Sequence, residues 1–207
     1  MLVFEQIRDR IINSEWEQGQ NLDVDELSRF YEVSRTPVLQ ALKRMQAEGM
    51  VVVSGTGKYF FPKYSIKQVR DICSVRLVLE SEALHELQRK QGAVDTTALM
   101  EMAQQCRRVM INGNVTVSRQ LDLQWHKNLI DLTGNECLIQ LYTQVQSQFM
   151  VANYLQAFHS SEQQLVAADD HINILSCLDR NDFTGAMEIL DNHITLAAEK
   201  IADRINT

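Results

Sequence analysis

Four side chains in the second half of the chain have types and spacing that could bind a metal ion. Asp122 and His126 are four residues apart, so on a helix they lie on one face. His171 and His193 each lie within another apolar segment of helical periodicity. One carboxylate and three imidazoles suit a first-row divalent metal with open coordination positions. The pattern predicts a metal site. For each histidine taken alone, the alternative is a core histidine with its hydrogen bonds satisfied by the protein, or a surface histidine.

A short basic segment is the second feature that could do chemistry. The chain has 207 residues and a net charge of −7, yet residues 34–70 hold 7 basic side chains and 1 acidic one. Residues 1–33 hold 3 basic and 8 acidic side chains, and residues 71–207 hold 10 and 18. A basic block between acidic ones is typical of a phosphate-binding surface. Charge alone also fits a solvated basic face.

The elements around this block predict how it would be presented. Helical spacing and capping patterns indicate three helices, and two β-rich apolar segments flank a turn that contains Gly55 and Gly57. Three helices followed by a hairpin predict a winged helix-turn-helix. The first predicted helix spans residues 2–13, the second opens at a capping box of Asp23 and Glu26 and runs through Leu27 to about Tyr31, and the third spans residues 34–48. The predicted strands span residues 50–53 and 58–61.

The N-terminal end of the third helix carries polar side chains that could reach the edges of DNA bases. Arg35 could donate two hydrogen bonds to guanine O6 and N7, and basic side chains further along could contact phosphates. We expect the DNA-contacting residues to be Ser34, Arg35, Thr36, Gln40, Lys43, Arg44 and Lys58. A winged helix used only for protein contacts is the alternative.

The remainder of the chain is predicted to be entirely helical. After Pro62 there is no further proline and only four glycines, and capping patterns separate six apolar, periodic segments. Six helices with short connections predict an antiparallel bundle. The fold class is therefore mainly α, with a winged helix-turn-helix domain at residues 1–62 and an all-helical domain at residues 66–207. The predicted helices begin near residues 66, 95, 117, 136, 161 and 182, and the fourth extends to about residue 158.

Other features of the sequence predict a cytoplasmic protein. No apolar run approaches the ~20 residues needed to cross a bilayer, and the charged N-terminus does not resemble a signal peptide. The four cysteines are far apart, which fits reduced thiols.

Several motifs resemble a known family. The stretches Val33-Ser34-Arg35-Thr36-Pro37-Val38, Ala41-Leu42, Arg44-Met45 and Glu48-Gly49-Met50-Val51 resemble the helix-turn-helix signature of GntR transcription regulators. The helical remainder resembles the FCD ligand-binding domain of the FadR-type branch, in the shorter VanR-like layout. The resemblance implies a homodimer that binds a two-fold-symmetric DNA operator under effector control. The sequence departs from the family pattern at Leu39-Gln40, where members commonly carry Arg-Glu, and at Asp25, where the acyl-CoA-responsive members carry Arg.

The resemblance also implies roles for site residues. Asp122, His126, His171 and His193 match the family's metal-binding pattern, which implies a divalent ion, with zinc expected first and nickel, manganese or iron also fitting. Arg76, four residues before Glu80, would clamp the carboxylate of a small organic acid effector. The alternative for Arg76 is a surface ion pair with Glu80.

These observations predict a metabolite-responsive transcription regulator and not an enzyme, with repression as the expected sign and activation as the alternative. Two alternatives stay open: a metal-dependent enzyme that uses the same four ligands, and a DNA-binding protein with a purely structural metal. The chain has no HExxH, GxSxG or phosphate-loop motif. Asp169 and Asp170 adjoin His171 but are expected to point elsewhere on their helix, which leaves the site without a second carboxylate.

Overall fold

Nine helices and a three-stranded sheet form the part of the chain that this computed structural model describes, residues 3–90, 95–154 and 161–205. The side chains of residues 161–164 are also outside the description. In chain order the elements are α1 (Val3–Ile12), β1 (Asn21–Leu22), α2 (Val24–Phe30), α3 (Arg35–Ala47), β2 (Val52–Val53), β3 (Tyr59–Phe60), α4 (Ile66–Arg89), α5 (Thr97–Ile111), α6 (Val115–Asp131), α7 (Glu136–Tyr154), α8 (Ser161–Asp179) and α9 (Phe183–Ile205).

Helices α1 to α3 and the sheet form the predicted winged helix-turn-helix. The Asp23 carboxylate caps α2 by accepting from the backbone N–H of Asp25 and Glu26. The hairpin strands are shorter than predicted, because Met50 donates its backbone N–H to the carbonyl of Met45 and so closes α3 instead of joining the ladder. Strand β1 was not predicted. It pairs with β3, which lies between β1 and β2.

The six predicted helices of the bundle are confirmed as α4 to α9. Ser65 and Gln68 form the capping box that begins α4. Helix α6 begins two residues earlier than predicted, because the Asn114 side chain accepts from the backbone N–H of Val117 and caps the helix. The predicted end of the fourth helix, near residue 158, lies outside the described residues.

The core joins the two parts of the chain. Helix α4 packs along α9, and α5 packs against α6 and α8. The apolar cluster of the winged unit also includes Leu123 of α6 and Met150, Val151 and Tyr154 of α7. The winged unit therefore packs directly on the bundle through these two helices. None of the described helices is long and apolar enough to cross a membrane.

Candidate functional site

The four predicted metal ligands lie together where α6, α8 and α9 meet. Asp122, His126, His171 and His193 each offer one ligand atom, and these atoms all lie within 4.8 Å of one another. The Nε2 atom of His126 is 3.0 Å from Nε2 of His171 and 3.3 Å from Nε2 of His193. Metal–nitrogen bonds of about 2.0–2.1 Å separate neighbouring ligand atoms by about 3.0–3.4 Å. The arrangement is therefore compatible with a single metal ion.

Glu80 fixes the orientation of His126. Its Oε2 atom is 2.8 Å from Nδ1 of His126, and both side chains are buried. Although burial favours the neutral acid, Arg76 and His126 hold the pKa of Glu80 well below its usual range. Because the ionised carboxylate can only accept, Nδ1 of His126 is the protonated nitrogen, and Nε2 presents its lone pair to the site.

Asp170 has the same relation to His193. Its Oδ2 atom is 3.2 Å from Nδ1 of His193, so Nδ1 donates and Nε2 of His193 also presents a lone pair. The expectation that Asp170 points away from the site was wrong, whereas Asp169 does point elsewhere and pairs with Arg107. Two nitrogen lone pairs at 3.3 Å repel each other unless a cation lies between them. This donor set fits a metal ion better than it fits a metal-free core.

His171 completes the set as a neutral imidazole. Its ring stacks on Trp125 with the ring centroids 3.9 Å apart. Burial, together with the charges of His126, His193 and Arg76, lowers the pKa of His171 well below its usual value. Among the described residues, Nδ1 of His171 has no hydrogen-bond partner. With Nδ1 as the protonated nitrogen, Nε2 of His171, which lies 3.0 Å from Nε2 of His126, presents a lone pair to the site.

A cavity of about 90 Å³ opens beside Asp122 and His193, and Arg76 lines it. Arg76 is only 2% exposed, its Nε donates to Glu80 across 2.7 Å, and its guanidinium lies 4.2 Å from the centre of the Phe149 ring. The surface ion pair considered from the sequence is thus a buried one. The orienting roles of Glu80 and Asp170 were not predicted from the sequence. The signals there were the four-residue spacing of Glu80 from Arg76 and the position of Asp170 next to His171.

The predicted DNA-contacting residues are all exposed, on α3, its N-cap and the wing. The Arg35 guanidinium pairs with Asp25 across 2.6 Å, and both side chains stay largely exposed. Arg44 differs, because its Nε binds Glu48 and its guanidinium lies 3.7 Å over the Phe4 ring of α1. Arg44 therefore already has partners within the protein.

Family comparisons match both parts of the chain. Residues 2–59 match the family described as bacterial regulatory proteins, gntR family, and residues 71–196 match the FCD domain. The uncharacterized HTH-type transcriptional regulator YdhC of Bacillus subtilis is 22% identical over 69% of this chain and 64% of its own, just under two thirds. The Nta operon transcriptional regulator of Aminobacter aminovorans is 24% identical over 77% of this chain and 74% of its own.

Solved structures show the same fold. E. coli McbR/YncC superposes with a TM-score of 0.84 at 16% identity, over 99% of this chain and 97% of its own. A transcriptional regulator GntR from Rhodococcus sp. RHA1 superposes with a TM-score of 0.75 at 16% identity, over 97% and 96% of the two chains.

Proposed function

The chain belongs to the GntR family of bacterial regulatory proteins and carries an FCD domain, and from this premise we propose that it is a repressor whose DNA binding is controlled by a small organic acid at a metal centre. The family and the named relatives are transcriptional regulators, not enzymes, so the metal-dependent enzyme is set aside. The observation that carries the proposal is the convergence of four ligand atoms next to a cavity.

Asp122, His126, His171 and His193 would hold a divalent ion, with zinc expected first. The two carboxylates that orient His126 and His193 support this assignment, because metal-binding imidazoles usually donate their other N–H to such a group. When bound, the ion would supply a positive centre that accepts oxygen ligands. Four protein ligands leave one or two positions of a five- or six-coordinate ion for the effector.

The cavity sets the size of the effector. At about 10–15 Å³ for each water-sized site, its 90 Å³ holds roughly six to nine small atoms. Arg76 lines this space, and we assign it a contact with the acid in addition to its pairing with Glu80. An acid that binds one arrangement of the winged units better than another would shift the DNA-binding equilibrium, with release as the expected sign.

We assign DNA binding to residues 1–62 and effector binding to residues 66–207. A homodimer would place two copies of α3 on the half-sites of a symmetric operator. Ser34, Arg35, Thr36, Gln40 and Lys58 present exposed side chains for this purpose, with Lys43 as a phosphate contact. Arg44 is the weakest of the seven candidates, because its charge is already engaged by Glu48.

Arg35→Ala should weaken binding to the preferred DNA site by about 1–3 kcal/mol and flatten the base preference at one position. Lys43→Ala should instead weaken binding to all DNA sequences alike and reduce the salt dependence of binding. Sites selected from random DNA would be compared by titration at two salt concentrations. Arg89→Ala, which removes an exposed arginine of the bundle, is the control and should bind as the wild type does. A selection that enriches no motif would contradict sequence-specific binding.

A titration with small carboxylic acids tests the proposed function. At least one acid should raise the melting temperature of the metal-loaded protein and change its affinity for the selected DNA. At a concentration of 100 times Kd the stabilisation should be about 2.7 kcal/mol. The metal-free protein should lose the response. An acid that stabilises metal-loaded and metal-free protein equally would refute this placement, and stabilisation without any change in DNA affinity would favour a structural metal site.

A further inference from the structure

Helix α6 carries a cation on the same face as its two metal ligands. Arg119 precedes Asp122 by three residues and His126 by seven, so all three side chains lie on one side of the helix. A rise of about 1.5 Å per residue places Arg119 roughly 10 Å along the helix from His126. Arg119 and Asp122 both line the cavity. The cavity therefore extends from the metal ligands to this arginine.

Helix α9 repeats the arrangement. Lys200 and Arg204 follow His193 by seven and eleven residues, and both line the same cavity. Burial lowers the pKa of Arg204, and the positive charge of Arg119 lowers it further. The two arginines are thus close enough to repel each other. One end of the cavity holds the metal ligands, and the other end is cationic.

Among the cationic side chains at this end of the cavity, Arg119 is the one that a bound anion would stabilise. Its side chain is buried, at 8% exposure. Its Nη1 donates to the carbonyl of Ile12 across 2.8 Å and to the hydroxyl of Ser14 across 3.1 Å, both neutral acceptors. Its Nε has no hydrogen-bond partner among the described residues. The guanidinium lies 5.1 Å from the centre of the Tyr154 ring, and no carboxylate among the described residues pairs with it. Burying a guanidinium without a carboxylate partner and with a donor unpaired is unfavourable, and an anion in the cavity would relieve both costs.

We propose that the effector is a small dicarboxylate, with one carboxylate at the metal centre and the second at Arg119. This inference rests on the proposed function and narrows its ligand class. A second carboxylate would accept from the guanidinium of Arg119 and would lie beside the cationic side chains of Lys200 and Arg204, which line the same cavity. Diacids of three to five carbons contain about seven to nine non-hydrogen atoms, which fits the cavity volume.

The same guanidinium would couple the ligand to the DNA-binding unit. Ile12 ends α1 of the winged unit, and Ser14 follows it with a positive φ of 56°. Arg119 therefore connects the cavity directly to the end of α1. A carboxylate bound to Arg119 would change one of the contacts between α1 and the bundle, which gives the acid a physical route to the DNA-binding surface.

The test compares succinate with succinamate, which has nearly the same shape but only one carboxylate. Calorimetric titration of the metal-loaded full chain should show succinate binding about tenfold tighter or more. Arg119→Gln should bring this ratio close to one without changing the metal content, and Arg119→Lys should keep part of it. Arg107→Gln, which removes an exposed arginine of α5, is the matched control and should keep the ratio. Succinate should also change hydrogen exchange at residues 10–14 in the wild type but not in Arg119→Gln.

Each other outcome has a distinct meaning. Equal binding of the two probes by the wild type would overturn the dicarboxylate while leaving the acid-controlled regulator in place. An unchanged ratio in Arg119→Gln, or in Arg119→Lys if the glutamine variant does not fold, would overturn the role of Arg119. Unchanged hydrogen exchange in succinate-bound wild type would overturn the coupling to α1. The metal-loaded protein could also bind neither probe. If other acids bind, this result would count against the dicarboxylate alone, and if no acid binds, it would count against the proposed function.

Discussion

Replacing Arg76 by alanine should destabilise the full chain by about 3–5 kcal/mol and lower its melting temperature by about 6–20 °C. Arg76 is 2% exposed and Glu80 is fully buried, and their ion pair measures 2.7 Å. Without the guanidinium, the Glu80 carboxylate stays buried, and its hydrogen-bond partners among the described residues are His126 and Tyr142. Removing one member of a buried pair is costly because the other charge is left uncompensated.

A second ion pair on the same helix provides the control. Lys67 and Asp71 of α4 have the same four-residue spacing, but their side chains are 83% and 58% exposed. Lys67→Ala should therefore change stability by about 0.5 kcal/mol or less. Combining Arg76→Ala with Glu80→Gln should recover part of the loss, because the uncompensated charge is gone. Thermal melts at a fixed metal concentration would measure all three variants, and equal effects of Arg76→Ala and Lys67→Ala would disprove the buried-pair argument.

Local patterns in the sequence were sufficient for most of the fold. The capping box of Ser65 and Gln68 marks the start of α4, and the apolar periodicity marks the faces that pack in the bundle. Strand β1 could not be predicted, because a strand of two residues has no periodicity of its own. It exists only because Asn21 and Leu22 pair with β3, a contact that spans almost forty residues of chain.

Contacts between helices were likewise not predictable at the metal site. Helical spacing places Asp122 and His126 on one face, whereas the partners of the histidines depend on how the helices pack. Asp170 and His171 project from α8 about 100° apart, and the packing of α9 brings His193 to Asp170. The pair of Arg76 and Glu80 looks like an exposed pair in the sequence. Its burial becomes evident only when α6 and α7 supply His126, Tyr142 and Phe149 around it.

Replacing His171 and His193 together by alanine should abolish binding of a divalent metal. Chelation of the wild type should lower its melting temperature, since metal at 100 times Kd contributes about 2.7 kcal/mol, or roughly 5–11 °C for a chain of this size. The double variant should no longer respond to chelation. Elemental analysis and melting curves with and without a chelator would measure both effects. His85→Ala, which removes an exposed histidine of α4, should keep the metal and the chelator response.

The size of this effect follows from how the site is built. Three helices supply the ligands, and α7 separates α6 from α8 and α9 in the chain, so an ion bound to all four ligands ties α6, α8 and α9 together. The carboxylates of Glu80 and Asp170 also keep the lone pairs of His126 and His193 directed at each other when no ion is present. Chelation therefore removes a favourable contact and leaves a repulsion in its place. A folded double variant that retains its metal content would show that the ion binds elsewhere, and the acid site proposed beside it would fall as well.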